Sequence, residues 1–237
     1  MIDRAGLAKA AVSRSWLLAV PVAVLAVAAW RRRWITEDAF INFRVVDITR
    51  HGRQPFAFNS GERVEAATSP LWVATLVALD ATLGRFVPLE KLALGAGLGL
   101  SLLGLGAATA ASARLVRLLG SDVPWPAGAL VLSALPPMWD FATSGLESGL
   151  TFGWLGGCQW LLSRCFADSF GGPGRPAPTA PGWLPVVLGL GPLIRPDLAL
   201  FSAAFLASHL SMSRPGLWCC RPCRRSGTSQ PRGWSPA

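Results

Sequence analysis

Two adjacent acidic residues, Glu37 and Asp38, directly follow a long apolar segment and are the strongest candidates for chemistry in this sequence. A carboxylate beside lipid has a raised affinity for protons, and such a group can act as a general base or bind a metal ion or a sugar. The alternative is structural, because acidic residues also stabilise the first turn of a helix, here one continuing through Phe40–Arg44. The spacing alone leaves both interpretations open.

Three consecutive arginines, Arg31, Arg32 and Arg33, precede the acidic pair, with three residues between. At the end of an apolar helix they would anchor the chain to lipid headgroups. They could also recognise the phosphate of a lipid substrate, since a guanidinium group offers two parallel donors to phosphate oxygens. The sequence is compatible with both roles.

Two further polar islands interrupt apolar sequence. Glu147 lies among small residues that leave room for a ligand, although Ser144 with Glu147 three residues later also fits a helix capping box. Arg195 and Asp197 flank a proline within an apolar run, and they could form a local ion pair or provide a phosphate-binding arginine. Charged groups at membrane depth are costly and usually mark function. We therefore expect the polar islands to form a single site.

The elements that must position these residues are apolar blocks. The chain is 51% hydrophobic and 15% charged, whereas a soluble domain carries about 25% charged residues. Several blocks approach the roughly 20 residues that cross a bilayer. The sequence predicts an all-α integral membrane protein, a polytopic helical bundle. The predicted spans are 15–34, 91–113, 125–138, 147–163, 183–194 and 198–212.

Residues 70–83 are apolar but too short for a normal span, and we predict an interfacial helix in the first extracytoplasmic loop. If the N-terminus is cytoplasmic and 70–83 does not cross, parity places 36–38, 140–147 and 195–197 on the extracytoplasmic face. This orientation gives basic cytoplasmic joints, except that the first loop is itself basic.

The two ends of the chain differ in character. Residues 1–212 are predicted to form one transmembrane domain. Residues 213–237 lack apolar periodicity and are rich in Pro, Gly, Ser and Arg, which predicts a disordered basic tail containing three cysteines.

The net charge of +9 does not indicate nucleic-acid binding. Part of it lies in the tail, and basic residues near membrane ends usually contact anionic membrane lipids. The chain also lacks the interleaved aromatic and basic residues of a nucleic-acid surface. The run Cys219-Cys220-Arg221-Pro222-Cys223 has no second ligand pair at zinc spacing, so the sequence predicts neither a metal site nor a cofactor, and a divalent cation remains possible.

Taken together, these segments resemble the GT-C class of membrane glycosyltransferases. More closely, Arg32–Asp38 and Phe58–Trp72 resemble the actinobacterial terminal β-(1→2)-arabinofuranosyltransferases. Asp140–Leu150 and Arg195–Asp197 extend the similarity, which covers about 30–212.

The resemblance implies transfer of D-arabinofuranose from decaprenyl-phosphoryl arabinose, a polyprenyl-phosphate sugar donor, to the arabinan ends of a cell-wall glycan on the extracytoplasmic face. Asp38 would be the general base, assisted by Glu37. The family typically has Asp-Asp at this pair, so the role of position 37 is the less certain of the two. The implied donor phosphate contacts are Arg195, Arg32 and Arg33, and the implied substrate contacts are Glu147, Asp197 and Glu65.

Members of that family are longer, and this chain departs from their pattern near Ser213. We therefore expect an N-terminal portion that is truncated or frameshifted after about residue 212 and could lack activity. Two other hypotheses remain: a non-catalytic or degraded polytopic membrane protein, and a transporter, for which no inverted repeat is evident.

Overall fold

The computed structural model describes residues 4–51, 56–59, 68–120, 126–169 and 181–213. This part of the chain is mostly helical and contains no strand, which confirms the all-α prediction. A 3₁₀ turn at Pro196–Leu198 precedes the last helix. The helices are α1 Arg4–Arg32, α2 Glu37–Arg50, α3 Pro70–Leu83, α4 Leu89–Leu118, α5 Ala127–Ala134, α6 Pro136–Thr143, α7 Ser148–Ser169, α8 Leu184–Leu188, α9 Gly191–Ile194 and α10 Ala199–Ser213.

One helix of the described residues, α4, is long and apolar enough to cross a membrane by length and composition. α3 is a shorter apolar helix with the bounds expected for the interfacial segment. The sequence predicts six crossings, and the described residues contain one helix that meets these criteria. The polytopic arrangement therefore stays a prediction.

The centre of the fold is a close contact between α4 and α7, the most extensive between any two helices. Gly97 faces Gly149, and Gly104 faces Gly156 seven residues further along both helices. Because both residue numbers increase together, the two helices run parallel. Small residues allow such close backbone contact between helices.

α1 runs in the opposite direction to α4. Val22 packs beside Gly106, and ten residues later Arg32 reaches Asp140 of α6. The carbonyl of Ala142, also in α6, lies against Gly97. The ends of α1 and α6 and the beginnings of α4 and α7 therefore lie together, at what we call the polar end of the bundle.

The prediction of one continuous span over 125–138 is wrong in its helix bounds. α5 stops at Ala134 and α6 begins at Pro136, with Leu135 extended between them (φ −79°, ψ 126°). A residue before proline is disfavoured in the helical region, and proline is well suited to the first turn of the next helix. α6 then continues through Asp140, which begins the polar island 140–147 of the sequence.

The predicted half-length span over 183–194 is not one continuous helix, because this stretch forms two short helices, α8 and α9. Five residues of helix extend only about 7 Å, so α8 cannot cross a bilayer alone. Arg195 is extended (φ −153°) before Pro196, for the same reason as Leu135. The chain then enters the 3₁₀ turn and α10, close to the predicted 198–212.

α2 and α3 form a small layer over the polar end. Ala39, Phe43 and Val46 of α2 pack with Trp72 and Leu76 of α3 in one buried cluster. At the far end of this layer Arg50 Nε donates to Asp80 Oδ2 over 2.9 Å. The predicted tail falls beyond the described residues, except for Ser213.

Candidate functional site

A short connector between α6 and α7, residues 144–147, holds the start of α2 in place. The backbone N–H of Thr36 donates to the Ser144 carbonyl over 3.0 Å. The indole Nε1 of Trp34 donates to the Asp140 carbonyl over 3.1 Å. From the other side, the fully buried Trp72 donates through Nε1 to the Gly145 carbonyl over 3.1 Å.

Gly145 is required at its position for two reasons. Its φ of +81° lies in the left-handed region, which favours glycine. A Cβ atom there would also lie 2.9 Å from the Ala39 Cβ, one residue beyond Asp38. The connector and the first turn of α2 are therefore in direct contact.

Glu37 and Asp38 occupy the first turn of α2, and both are exposed. Neither side chain makes a hydrogen bond or ion pair with another described residue. The helix N-terminus favours negative charge here, as the structural interpretation requires. Carboxylates without a protein partner are also available to a substrate, so the catalytic interpretation remains equally compatible.

Arg195 is held between two carboxylates. Its Nη1 lies 3.5 Å from Glu147 Oε1, and its Nε donates to Asp197 Oδ1 over 3.1 Å. The Glu147 side chain is only 10% exposed, whereas that of Arg195 is 45% exposed. The buried Glu147 carboxylate thus fixes a guanidinium group that stays partly exposed, and its remaining N–H groups are available to a ligand oxygen. The predicted local pair of Arg195 with Asp197 is present as well.

The capping box considered for Ser144 and Glu147 does not form. α7 begins at Ser148, so Glu147 precedes the helix. Ser144 Oγ instead accepts the Leu146 N–H over 3.3 Å, within the connector. Glu147 is thereby left to pair with Arg195.

The arginine triplet is divided between different contacts. Arg32 Nε lies 3.5 Å from Asp140 Oδ1, and its guanidinium group is 5.8 Å from the centre of the Trp139 ring. Arg33 instead turns back on α1, where Nη1 donates to the Trp30 carbonyl over 2.8 Å. The structure thus brings Arg32 to α6 and directs Arg33 away from it.

Glu65, predicted to contact the substrate, lies outside the described residues. Three residues that organise the site were absent from the predicted set: Trp34, Trp72 and Asp140. Each acts through a contact between segments distant in sequence, and only the polarity of Asp140 amid apolar residues signalled it. In the described part of the chain, no three His, Cys, Asp or Glu residues group to hold a metal ion.

The polar end of the bundle thus gathers exposed carboxylates and an arginine paired with Glu147. Comparison with known proteins agrees with the family that the motifs indicated. The chain is 40% identical over 206 residues to the terminal β-(1→2)-arabinofuranosyltransferase of Mycobacterium tuberculosis, which covers 84% of this chain. It is 38% identical over 193 residues, or 73% of the chain, to the protein of the same name from Corynebacterium glutamicum. These matches confirm the predicted resemblance.

The chain spans about a third of the length of these curated relatives, with 32% and 26% of each covered. No family model matches the chain. No solved structure matches it either.

Proposed function

We propose that this chain forms the N-terminal part of a membrane glycosyltransferase of the GT-C type. It would transfer D-arabinofuranose from a polyprenyl-phosphate donor, decaprenyl-phosphoryl arabinose, to a cell-wall glycan at the extracytoplasmic face. The activity named for the two relatives supports sugar transfer. The observation that carries the proposal is the junction of the acidic first turn of α2 with the Glu147–Arg195 pair through residues 144–147.

The length of the connector limits the size of the site. Ser144 is bonded to Thr36, and Glu147 is paired with Arg195. Three residue steps separate Ser144 from Glu147, so their Cα atoms lie at most about 11 Å apart. The acidic turn and the arginine are thus close enough to act on neighbouring parts of a lipid-linked sugar and its acceptor.

The proposed reaction is an inverting displacement at the anomeric carbon. Asp38 takes the proton from the acceptor hydroxyl, and the acceptor oxygen forms a bond to that carbon as the bond to the phosphate oxygen breaks. The sugar is transferred and polyprenyl phosphate leaves with the bonding electrons. Glu37 assists Asp38, and no organic cofactor is required.

Arg195 stabilises the negative charge that develops on the leaving phosphate. Glu147 and Asp197 keep its guanidinium group oriented and contact the substrate around it. Arg32 and Arg33, expected from sequence to contribute to phosphate binding, already contact Asp140 and Trp30. The proposed donor site therefore depends chiefly on Arg195.

Replacing Arg195 by lysine is expected to raise the KM for the donor by roughly tenfold or more, because a point charge replaces a two-pronged donor. The measurement is transfer from decaprenyl-phosphoryl arabinose in membranes. It should be made with this chain and with a chimera in which it replaces the matching segment of the Mycobacterium tuberculosis relative. Arg164→Lys, at the exposed end of α7, is the matched control. Equal KM values for the two variants would remove Arg195 from the donor site.

The proposed topology predicts that Glu37 and Asp197 share the extracytoplasmic face, with Arg164 on the opposite side. All three side chains are exposed, so cysteine can replace each in a cysteine-free background. In intact cells an impermeant thiol reagent should label positions 37 and 197 and leave 164 unlabelled until the membrane is opened. Labelling of 164 alone would invert the topology.

The alternatives give different results in the same assays. A non-catalytic or degraded membrane protein would keep this topology, and its segment would not support transfer in the chimera. A transporter would move substrate across sealed vesicles without forming a glycosidic bond.

A further inference from the structure

An apolar groove of about 560 Å³ runs along the outside of the bundle between α1 and α6. Ala23, Val24, Val27 and Ala28 form its wall on α1, and Trp139 forms its wall on α6. We call this the α1–α6 groove. It lies outside the connector of residues 144–147 that organises the proposed donor site.

One end of the groove carries positive charge. Arg31 and Arg32 line it at the last turn of α1, and both are exposed. Arg32 is held there by Asp140, with its guanidinium group above Trp139. Two arginines against one acidic side chain leave a net charge of about +1 where the groove opens to the polar end.

We propose that the α1–α6 groove binds one acyl chain of an anionic phospholipid, with the lipid phosphate at Arg31 and Arg32. From Ala23 to Arg31 the helix rises by about 12 Å, slightly less than one leaflet of a hydrocarbon core about 30 Å thick. An acyl chain lying along α1 matches this length. Its phosphate would then reach the arginines at the level of the headgroups.

Charge complementarity favours a phospholipid over another protein helix. An apolar helix packed in the groove would leave Arg31 at a protein contact without an anionic partner, which is costly near lipid, while Arg32 would keep only Asp140. A phosphate supplies that partner, and guanidinium groups bind it through paired hydrogen bonds. The site is distinct from Arg195, and the inference does not depend on the proposed enzymatic activity.

The test is lipid retention by the purified chain. The protein is reconstituted in nanodiscs of equal parts phosphatidylglycerol and phosphatidylcholine, extracted gently, and examined by native mass spectrometry. We expect one retained phosphatidylglycerol, preferred over phosphatidylcholine by about fivefold for one net positive charge. The double variant Arg31→Gln/Arg32→Gln should lose this preference, whereas Arg114→Gln/Arg117→Gln should keep it.

A second pair of variants tests the groove itself. Ala23→Trp fills the groove and should abolish retention, whereas Ala19→Trp, one turn earlier on an exposed part of α1 outside the groove lining, should not. Retention unaffected by Ala23→Trp would show that the arginines only attract headgroups, and would overturn the site. Displacement of phosphatidylglycerol by equimolar polyprenyl phosphate would also overturn it, because the groove would then belong to the donor lipid.

Discussion

Asp38→Asn is expected to reduce arabinose transfer by roughly 10²–10⁴-fold, the usual contribution of a general base. Asparagine keeps the size of the side chain but cannot accept the proton of the acceptor hydroxyl. Asp38 is exposed and has no ion pair within the described residues, so the loss should appear in kcat, with binding of the donor lipid preserved. The assay is transfer from decaprenyl-phosphoryl arabinose in membranes carrying the chimera described above.

Two further variants serve as comparisons for Asp38→Asn. Glu37→Gln should cost less than Asp38→Asn if Glu37 only assists its neighbour. Asp47→Asn, about two and a half turns further along α2, where the side chain pairs with His51, should leave transfer unchanged. Near-normal turnover in Asp38→Asn would remove Asp38 from the mechanism, and its position in the first turn of α2 would then be explained by helix stabilisation alone.

Gly156→Ala is expected to destabilise the bundle by roughly 1–3 kcal/mol, as overpacking of a tight contact does. The added methyl group would collide with the backbone of Gly104 in the parallel helix α4, and backbone atoms cannot move aside as a flexible side chain can. The apparent Tm in detergent, followed by size-exclusion chromatography after heating, should fall by about 2–4 °C for each kcal/mol.

The neighbouring glycine provides the control. A Cβ atom on Gly157 would meet nothing within 4 Å. Gly157→Ala should therefore stabilise α7 by about 0.5–1 kcal/mol, because alanine is the better helix former. A similar loss of stability in both variants would show that the contact between α4 and α7 does not determine the effect.

Local signals in the sequence were sufficient for some of the helices. α3 begins at Pro70, which suits a first helical turn, and its bounds match the predicted 70–83. α4 extends beyond the predicted 91–113 at both ends, to Leu89 and Leu118. Hydrophobicity was therefore enough to predict that α4 exists, but it did not give the residues at which α4 begins and ends.

Prolines were recognised, but their effect was misjudged. The predicted span ends at 138, shortly after Pro136, whereas a new helix, α6, begins at Pro136 and continues to Thr143. A proline stops the preceding helix and also begins the next, and sequence alone does not say whether that next helix will be stabilised by packing. α6 is stabilised by Ala142, which is buried among Leu25, Ala29 and Leu105 of α1 and α4.

The candidate site divides in the same way. Sequence singled out Glu37, Asp38, Glu147 and Arg195 because charge is rare in this chain. It could not show that Trp34 reaches Asp140, because 106 residues separate them and the hydrogen bond depends on how α1 and α6 pack. Candidate residues can be recognised from their type in the sequence, whereas contacts between distant segments depend on how the helices pack.

The parallel arrangement of α4 and α7 has a consequence for biosynthesis. Two neighbouring parallel helices cannot be joined by a short turn, so the chain must return along the bundle through α5 and α6 before α7 can start. While the chain is being made, the glycine surface of α4 has no partner until Ser148 and the residues after it have emerged. Contacts between residues far apart in sequence form late, and this one requires a return passage through two eight-residue helices. Formation of the α4–α7 contact therefore waits on the interrupted segment α5–α6, and a nascent chain arrested before α7 would expose α4 to other small-residue helices.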